Sequence, residues 1–280
     1  MQERNLQAIA RSPKGFQFTD TFFPYTSGQI GPYYVQSAGI LANPSDYKHA
    51  IADITLLTHQ TLGGFNIDYL AGGESRDWIF SLKVAINLGK PAVMIYKDGK
   101  VLPDIGFKGK NIAIVSDLNN EGSSQRDKFV PAMDRLGAKI THATFYVDRL
   151  EDGVEVLDNL GIKNNAVVPL NPHAWDYLQK IEVVDSEVYK NLRGRGESRQ
   201  SRHDWAIQML RSDRGFAKLT ELFTDSKTEP KVRDILKKGY PEIRKELVER
   251  LVEIAPQKKW EPGYIRETLG PKPFDGKDLK

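Results

Sequence analysis

Between residues 67 and 170 the chain alternates short apolar, β-prone runs with stretches of helical spacing. That alternation constrains the fold more than any other feature. Strands are expected over 67–71, 92–96, 112–115, 140–147 and 166–170. Helices are expected over 78–88, 125–136 and 154–160, the first two closed by Gly89 and Gly137. Strands alternating with helices argue for an α/β fold, a mostly parallel sheet flanked by helices on both faces. In such sheets ligands sit beyond the C-terminal ends of the strands. Those ends carry Gly72-Gly73, Lys97, Asp117 and Arg149, so glycines and functional side chains converge on one edge.

The stretch NIAIVSDLNNEGSSQ, residues 111–125, is the most specific part of the pattern. An apolar run stops at Asp117, a loop with Gly122, Ser123 and Ser124 follows, and a helical pattern begins. Such a unit can hold a sugar phosphate: loop N–H groups, hydroxyls and the helix start face the phosphate, and the acid accepts from ribose hydroxyls. Pro131 falls inside the following helix, where it removes a donor, unless that helix begins late, near Asp127.

The flanking regions read differently. Residues 1–15 suit a short helix and linker, and 16–41 suit irregular loop and short strands punctuated by Gly28, Gly31 and Pro32. Residues 47–62 have helical spacing and end at Gly63-Gly64, a C-cap signal. Beyond Asp185, the segment 186–204 carries Arg193, Arg195, Arg199 and Arg202 among few apolar residues and reads as an exposed basic linker. Residues 205–223 and 232–254 return to helical spacing, the second broken by Gly239 and Pro241, and the Pro-, Gly- and Lys-rich end reads as a loose tail. The expected division is therefore an α/β unit over 1–185, a linker over 186–204, and a helical extension with tail over 205–280.

Composition excludes several chemistries. Of 280 residues, 40% are hydrophobic and 28% charged, enough to bury a core. The absence of cysteine excludes disulfides, thiolate metal sites and cysteine nucleophiles. His49, His59, His173 and His203 lack metal-ligand spacing and His142 falls in a strand as a structural residue, so no protein-built metal site is expected. The N-terminus lacks the apolar core of a leader and no run is long enough to cross a bilayer, so the expectation is a cytoplasmic protein away from membranes. Net charge is +3, with 22 Lys+Arg against 17 Asp+Glu over 185–280, a local +5. The basic run KNLRGRGESRQSR has no interleaved aromatics for base stacking, so nucleic acid is not an expected partner.

Five segments, in order over roughly 160 residues, resemble the orotate phosphoribosyltransferase family. Ser27-Gly28-Gln29-Ile30-Gly31-Pro32-Tyr33-Tyr34 resembles its hood motif. Ala71-Gly72-Gly73-Glu74-Ser75-Arg76 is similar to its pyrophosphate loop, and Tyr96-Lys97-Asp98-Gly99-Lys100 falls where it carries a basic mobile loop. The 115–124 stretch falls on its phosphoribosyl-pyrophosphate (PRPP) motif, and Asp148-Arg149-Leu150-Glu151 resembles the segment after its next strand.

The resemblance implies a type I phosphoribosyltransferase fold with an N-terminal hood and, here, an α-helical C-terminal extension. It also implies an enzyme that transfers phosphoribosyl from PRPP to orotate, with Mg²⁺ bound mainly through PRPP and catalysis by positioning and electrostatics. On the same basis Asp117 accepts the ribose hydroxyls. Gly122, Ser123 and Ser124 cradle the 5′-phosphate, with Asn119, Asn120 and Glu121 in the same loop. Gly72 and Gly73 admit the pyrophosphate, Lys97 and Lys100 neutralise it, Tyr33 and Tyr34 close over the base, and Arg149 faces the orotate carboxylate. A homodimer is implied, and the C-terminal helices are a possible surface for a protein partner. The motifs also depart from the family: Ser116 stands where the first of two adjacent acids is usual, Asn120 replaces a threonine, Thr26 a lysine and Tyr96 an arginine. These departures keep two other readings open: transfer to a different base, and a catalytically degenerate nucleotide or PRPP sensor or protein-binding scaffold.

Overall fold

In the computed structural model, which describes residues 1–270, the chain opens with α1 (Gln2–Arg11) and a two-stranded sheet of β1 (Phe16–Pro24) and β2 (Ile30–Val35). The loose tail expected at the C-terminus falls largely outside the described residues. A 3₁₀ turn over Ser37–Ala42 leads into α2 (Pro44–Leu62). The Asn43 side chain accepts from the N–H groups of Ser45 and Asp46, Pro44 fills the first turn, and Gly63 at φ 46° ends the helix in the left-handed conformation that costs glycine least.

The alternation follows: β3 (Tyr69–Gly73), α3 (Asp77–Asn87), β4 (Ala92–Ile95), β5 (Val101–Leu102), β6 (Asn111–Asn119), α4 (Val130–Arg135), β7 (Lys139–Asp148), α5 (Asp152–Asn159), β8 (Lys163–Pro169) and α6 (Pro172–Lys180). Six strands form one sheet in the order β5-β4-β3-β6-β7-β8, parallel except where β5 returns antiparallel on β4. The middle strands are buried almost end to end, as parallel strands covered on both faces require. Val93, Ile114, Phe145, Phe129, Met133 and Leu157 belong to one apolar cluster on this sheet.

Two local differences from the sequence pattern have physical causes. β6 runs on to Asn119, past the apolar run, because Ser116 and Asn119 keep pairing with Phe145 and Asp148 of β7. The helix after it starts as a π-turn over Gln125–Phe129 and becomes α-helical only at Val130, which places Pro131 in the first turn of α4. Proline has no N–H for the carbonyl four residues back, and wider pairing precedes it.

The remaining helices are α7 (Ser186–Gly194), α8 (Arg199–Arg211), α9 (Asp213–Thr224), α10 (Glu229–Asp234), α11 (Arg244–Lys258) and α12 (Pro262–Leu269). The basic linker expected over 186–204 is therefore corrected to helix. Asp185 accepts from the N–H groups of Glu187 and Val188, and Val188 and Leu192, one turn apart, are buried. Charge density outweighed this two-residue apolar signal in the sequence.

Two compact units emerge, and they divide the chain differently from the expected linear order. One comprises Met1–Gln17, Val35–Tyr189 and Glu197–Arg199; the other comprises Phe18–Tyr34, Lys190–Gly196 and the described residues from Gln200 onward. The hood strands belong with the C-terminal helices because Phe22 and Ile30 share an apolar cluster with Trp205, Leu219, Leu236 and Leu247. The Ser27-Gly28-Gln29 turn packs against the 234–240 segment within that unit. The Tyr240 hydroxyl accepts from the Ile30 N–H at 3.2 Å and donates to Gln29 Oε1 at 2.9 Å. A Cβ on Gly28, at φ 88°, would stand 2.6 Å from the Asp234 carbonyl oxygen. No helix of the described residues is long and apolar enough to cross a membrane.

Candidate active site at the switch point of the sheet

From β3 the chain crosses to β4 on one side, and it returns through β6 on the other. The β3–β6 ladder pairs Tyr69 with Ile112, Leu70 with Ala113 and Ala71 with Ile114, and then ends. Beyond it, Gly72 and Gly73 stay on β4 while β6 continues along β7. Strands that part in this way open a crevice at their C-terminal ends, the usual ligand position in open α/β sheets.

Asp117 lies on β6 just past this opening. Its carboxylate accepts from Ser37 Oγ at 2.7 Å and lies 3.7 Å from Nε of the half-exposed Arg76. Arg76 also donates to the Gln36 side chain at 2.9 Å. Beneath Asp117 is Asp77, the first residue of α3. Its Oδ1 accepts from Ser116 Oγ at 2.6 Å and from the Asp117 N–H at 2.9 Å, and its Oδ2 accepts from the Gly73 N–H at 2.9 Å. Burial, and then the neighbouring Asp117 charge, hold the Asp77 carboxyl well above the usual carboxylate range, while the three donors pull the other way.

This shift makes stability depend on pH. The folded state retains the Asp77 proton at pH values where the unfolded chain has lost it, so the stability this group contributes is fully present below about pH 4 and is lost as pH rises toward 7. The slope in that window is at most about 1.4 kcal/mol per pH unit. Burial shifts Asp148 in the same direction, so Asp77→Asn is expected to flatten the wild-type profile without abolishing it. Urea midpoints of both proteins at pH 5 and 8 check this, and equal slopes would refute it.

The glycines at the opening are enforced by packing. A Cβ on Gly72 would overlap Ser81, and one on Gly73 would overlap the Phe129 ring. The Trp78 indole N–H takes the Gly72 carbonyl at 2.9 Å. In the loop after β6, Gly122 adopts φ 65° and a Cβ there would lie 2.8 Å from Val156. Ser123 and Ser124 are exposed at the start of the following helical segment. Asn119 donates to Asp148 at 3.0 Å, and the side-chain carbonyls of Asn119 and Asn120 are buried without a hydrogen-bond partner among the described residues. Glu121 is half-buried in the same loop.

The expected basic loop is a tight turn between β4 and β5. The Tyr96 N–H donates to the Lys100 carbonyl and the Gly99 N–H to the Tyr96 carbonyl. Lys97 and Lys100 are both exposed on it. The Lys97 N–H reaches Glu74 Oε2 at 3.0 Å, and the Lys100 ammonium lies 5.8 Å from the Tyr96 ring centroid. Arg149 is buried and ion-paired with the equally buried Glu151 at 2.9 Å, so its charge is met within the protein. Tyr33 and Tyr34 belong to the other unit. Tyr33 is buried with the Arg195 guanidinium 6.0 Å from its ring centroid, and Tyr34 is exposed.

Asp117, the glycine pair and the serine loop are thus brought to one sheet edge. The sequence reading missed Asp77 and Ser37, and it gave no role to Arg76 or Glu151, which it met only within their motifs. Asp77 had one signal, an acid at the start of a helix four residues after a Gly-Gly pair, and that also fits a simple helix start.

No family model matches the chain. Among curated proteins, it is 25% identical over 182 residues to an orotate phosphoribosyltransferase of Sulfolobus acidocaldarius, covering 63% of this chain and 85% of that protein. Among solved structures, an orotate phosphoribosyltransferase from Aeropyrum pernix superposes with a TM-score of 0.54 at 20% identity, over 65% of this chain and 99% of that one. Leishmania donovani UMP synthase superposes with a TM-score of 0.59 at 18% identity, over 68% of this chain and 41% of that one.

Proposed function

We propose, from the chain's kinship with the orotate phosphoribosyltransferase family and its type I phosphoribosyltransferase fold, that it transfers phosphoribosyl from PRPP to orotate. One observation carries this reading: Asp117, Gly72-Gly73 and the Ser123-Ser124 loop meet at the switch-point crevice of the sheet. In the reaction, orotate N1 gives up its proton to solvent and bonds to C1 of the ribose, as the C1–oxygen bond breaks and its electron pair leaves with pyrophosphate. The products are orotidine 5′-monophosphate and pyrophosphate. Positive charge builds on the ribose and negative charge on the leaving group, so oriented dipoles and cations supply most of the acceleration.

Asp117 accepts the ribose hydroxyls, displacing Ser37 as its partner, and stabilises the developing ribosyl cation. Asn119, Asn120, Glu121, Gly122, Ser123 and Ser124 form the loop for the 5′-phosphate. Arg76 joins Lys97 and Lys100 as a cation for pyrophosphate. Mg²⁺ would be held mainly through PRPP rather than by a full set of protein ligands. When bound, the ion neutralises charge on the leaving group. Pyrimidine nucleotide synthesis in the cytoplasm, a homodimer and a protein partner for the C-terminal helices belong to the same proposal.

The Arg149–Glu151 pair favours a second reading. An arginine already neutralised in the interior offers orotate less, as expected of a PRPP or nucleotide sensor that has given up the base. PRPP-dependent consumption of orotate with Mg²⁺ separates the two. Turnover is expected, and Lys100→Ala is expected to lower it about tenfold, as for one electrostatic contact to the leaving group. Folded protein that binds PRPP by calorimetry but does not consume orotate would replace the transferase reading with the sensor.

A further inference from the structure

The β3–β6 ladder stops at Ala71 and Ile114, leaving the Gly73 and Asp117 N–H groups on strands that have begun to part. Both donate to a single side chain, the carboxylate of Asp77, through different oxygens and each at 2.9 Å. Ser116 Oγ donates to the same oxygen as Asp117. The next residue of α3, Trp78, takes the Gly72 carbonyl. The first two residues of α3 therefore bind polar groups on both walls of the crevice. We propose that Asp77 is a positioning residue for the phosphoribosyl site. Its buried carboxylate closes the open end of the ladder and fixes how Asp117 and the Gly72-Gly73 turn face the ribose and diphosphate of PRPP. The inference rests on the proposed function.

The same geometry accounts for Ser116. A hydroxyl there gives the Asp77 carboxylate a donor at 2.6 Å, whereas an acid would set two carboxylates in contact with Asp117 beside them. Of the groups around Asp77, Asp117 on β6 is the nearest like charge, and Arg76 is the cation facing Asp117. Asp77 and Ser116 thus form a matched pair, and the carboxylate that orients Asp117 comes from α3 rather than from β6. Both Asp77 carboxyl oxygens are taken up by donors of the protein itself, so Asp77 acts through the two strand ends.

The test compares wild type with Asp77→Ala, Asp77→Asn, Ser116→Asp and the exchange Asp77→Ser with Ser116→Asp. Amide exchange without ligand reads the strand ends, and calorimetry with PRPP and Mg²⁺ reads the site. Asp77→Ala is expected to speed exchange at Gly73 and Asp117 selectively and to weaken PRPP about tenfold or more, as expected when three buried donors lose their acceptor. Asp77→Asn, which keeps size and part of the acceptor set, is expected to fall between. Ser116→Asp alone is expected to weaken PRPP, and the exchange to restore affinity to within about threefold. A carboxylate that only stabilised the fold would lower the melting temperature without this pattern of loss and recovery. Unchanged exchange at both amides, or PRPP affinity unchanged in folded Asp77→Ala, would overturn the inference. Wild type that binds no PRPP but shows the exchange effect in Asp77→Ala would instead remove the proposed function and leave Asp77 as the clamp of the two strands.

Discussion

Asp117→Asn is expected to lower PRPP-dependent orotate turnover by about 10²–10³-fold, the loss usual when a preorganised electrostatic contact to the reacting centre is removed. The substitution keeps shape and leaves an oxygen for Ser37 Oγ, which now lies 2.7 Å from the carboxylate. On the proposed reaction, what goes is a negative charge beside a ribose that becomes cationic, and Arg76, 3.7 Å away, is left without its opposing charge. Stability is expected to move the other way. The Asp117 charge raises the cost of ionising the buried Asp77, so its removal is expected to leave the melting temperature unchanged or higher. Activity lost together with stability would mark Asp117 as a structural acid. Activity within threefold of wild type would remove it from the reaction altogether. Steady-state rates and a thermal melt on the same preparation give both answers.

Apart from the two-residue β5 and the polar start of β8 at Lys163-Asn164-Asn165, the fold was legible from 67 to 170 because the strands there are largely buried apolar runs and the helices have an amphipathic face. Such segments announce themselves locally. The C-terminal end of β6 was not legible, because Ser116, Leu118 and Asn119 stay in the ladder through pairing with β7, a tertiary fact. Helix in place of the basic linker after Asp185 was hidden for a related reason: two buried residues, Val188 and Leu192, outweigh four arginines once something packs on them. The hood's partner was invisible for want of any local signal. Phe22 and Ile30 read as ordinary strand residues, and only the assembled unit shows them sharing a cluster with Trp205 and Leu236.

The candidate site divides along the same line. Asp117 could be placed from sequence because it ends an apolar run before a small-residue loop. Asp77 could not, because its role depends on two strands diverging 40 residues apart in sequence. Arg149 shows the converse. Its position after β7 was legible, but its charge is met by Glu151 two residues on, so only the folded geometry shows a cation already engaged. An argument from residue type finds the group; its state is set by what is buried beside it.

Gly73→Ala tests whether the glycine pair is there for the ligand or for the fold. A Cβ at this position would overlap the Phe129 ring and stand 2.9 Å from Asp77 Oδ2, so something must shift. Phe129 is buried in the cluster beneath β3, where a displaced aromatic disturbs several neighbours. The expected loss is about 1–3 kcal/mol of unfolding free energy, as for other overpacked cores. Gly106→Ala is the control, since a Cβ there meets nothing within 4 Å, and it is expected to stay within about 0.5 kcal/mol of wild type. Phe129→Leu, which trims the ring, is expected to recover part of the loss when combined with Gly73→Ala, although alone it destabilises. That coupling of opposite sign would locate the strain between these two residues. Urea unfolding of the four proteins decides it. A Gly73→Ala protein as stable as wild type would show that the ring gives way freely, leaving close backbone approach to the diphosphate as the reason for glycine. A destabilised variant that the Phe129 change partly restores would show that packing alone enforces Gly73, and that the crevice inherits its open backbone from the way α4 and β3 meet.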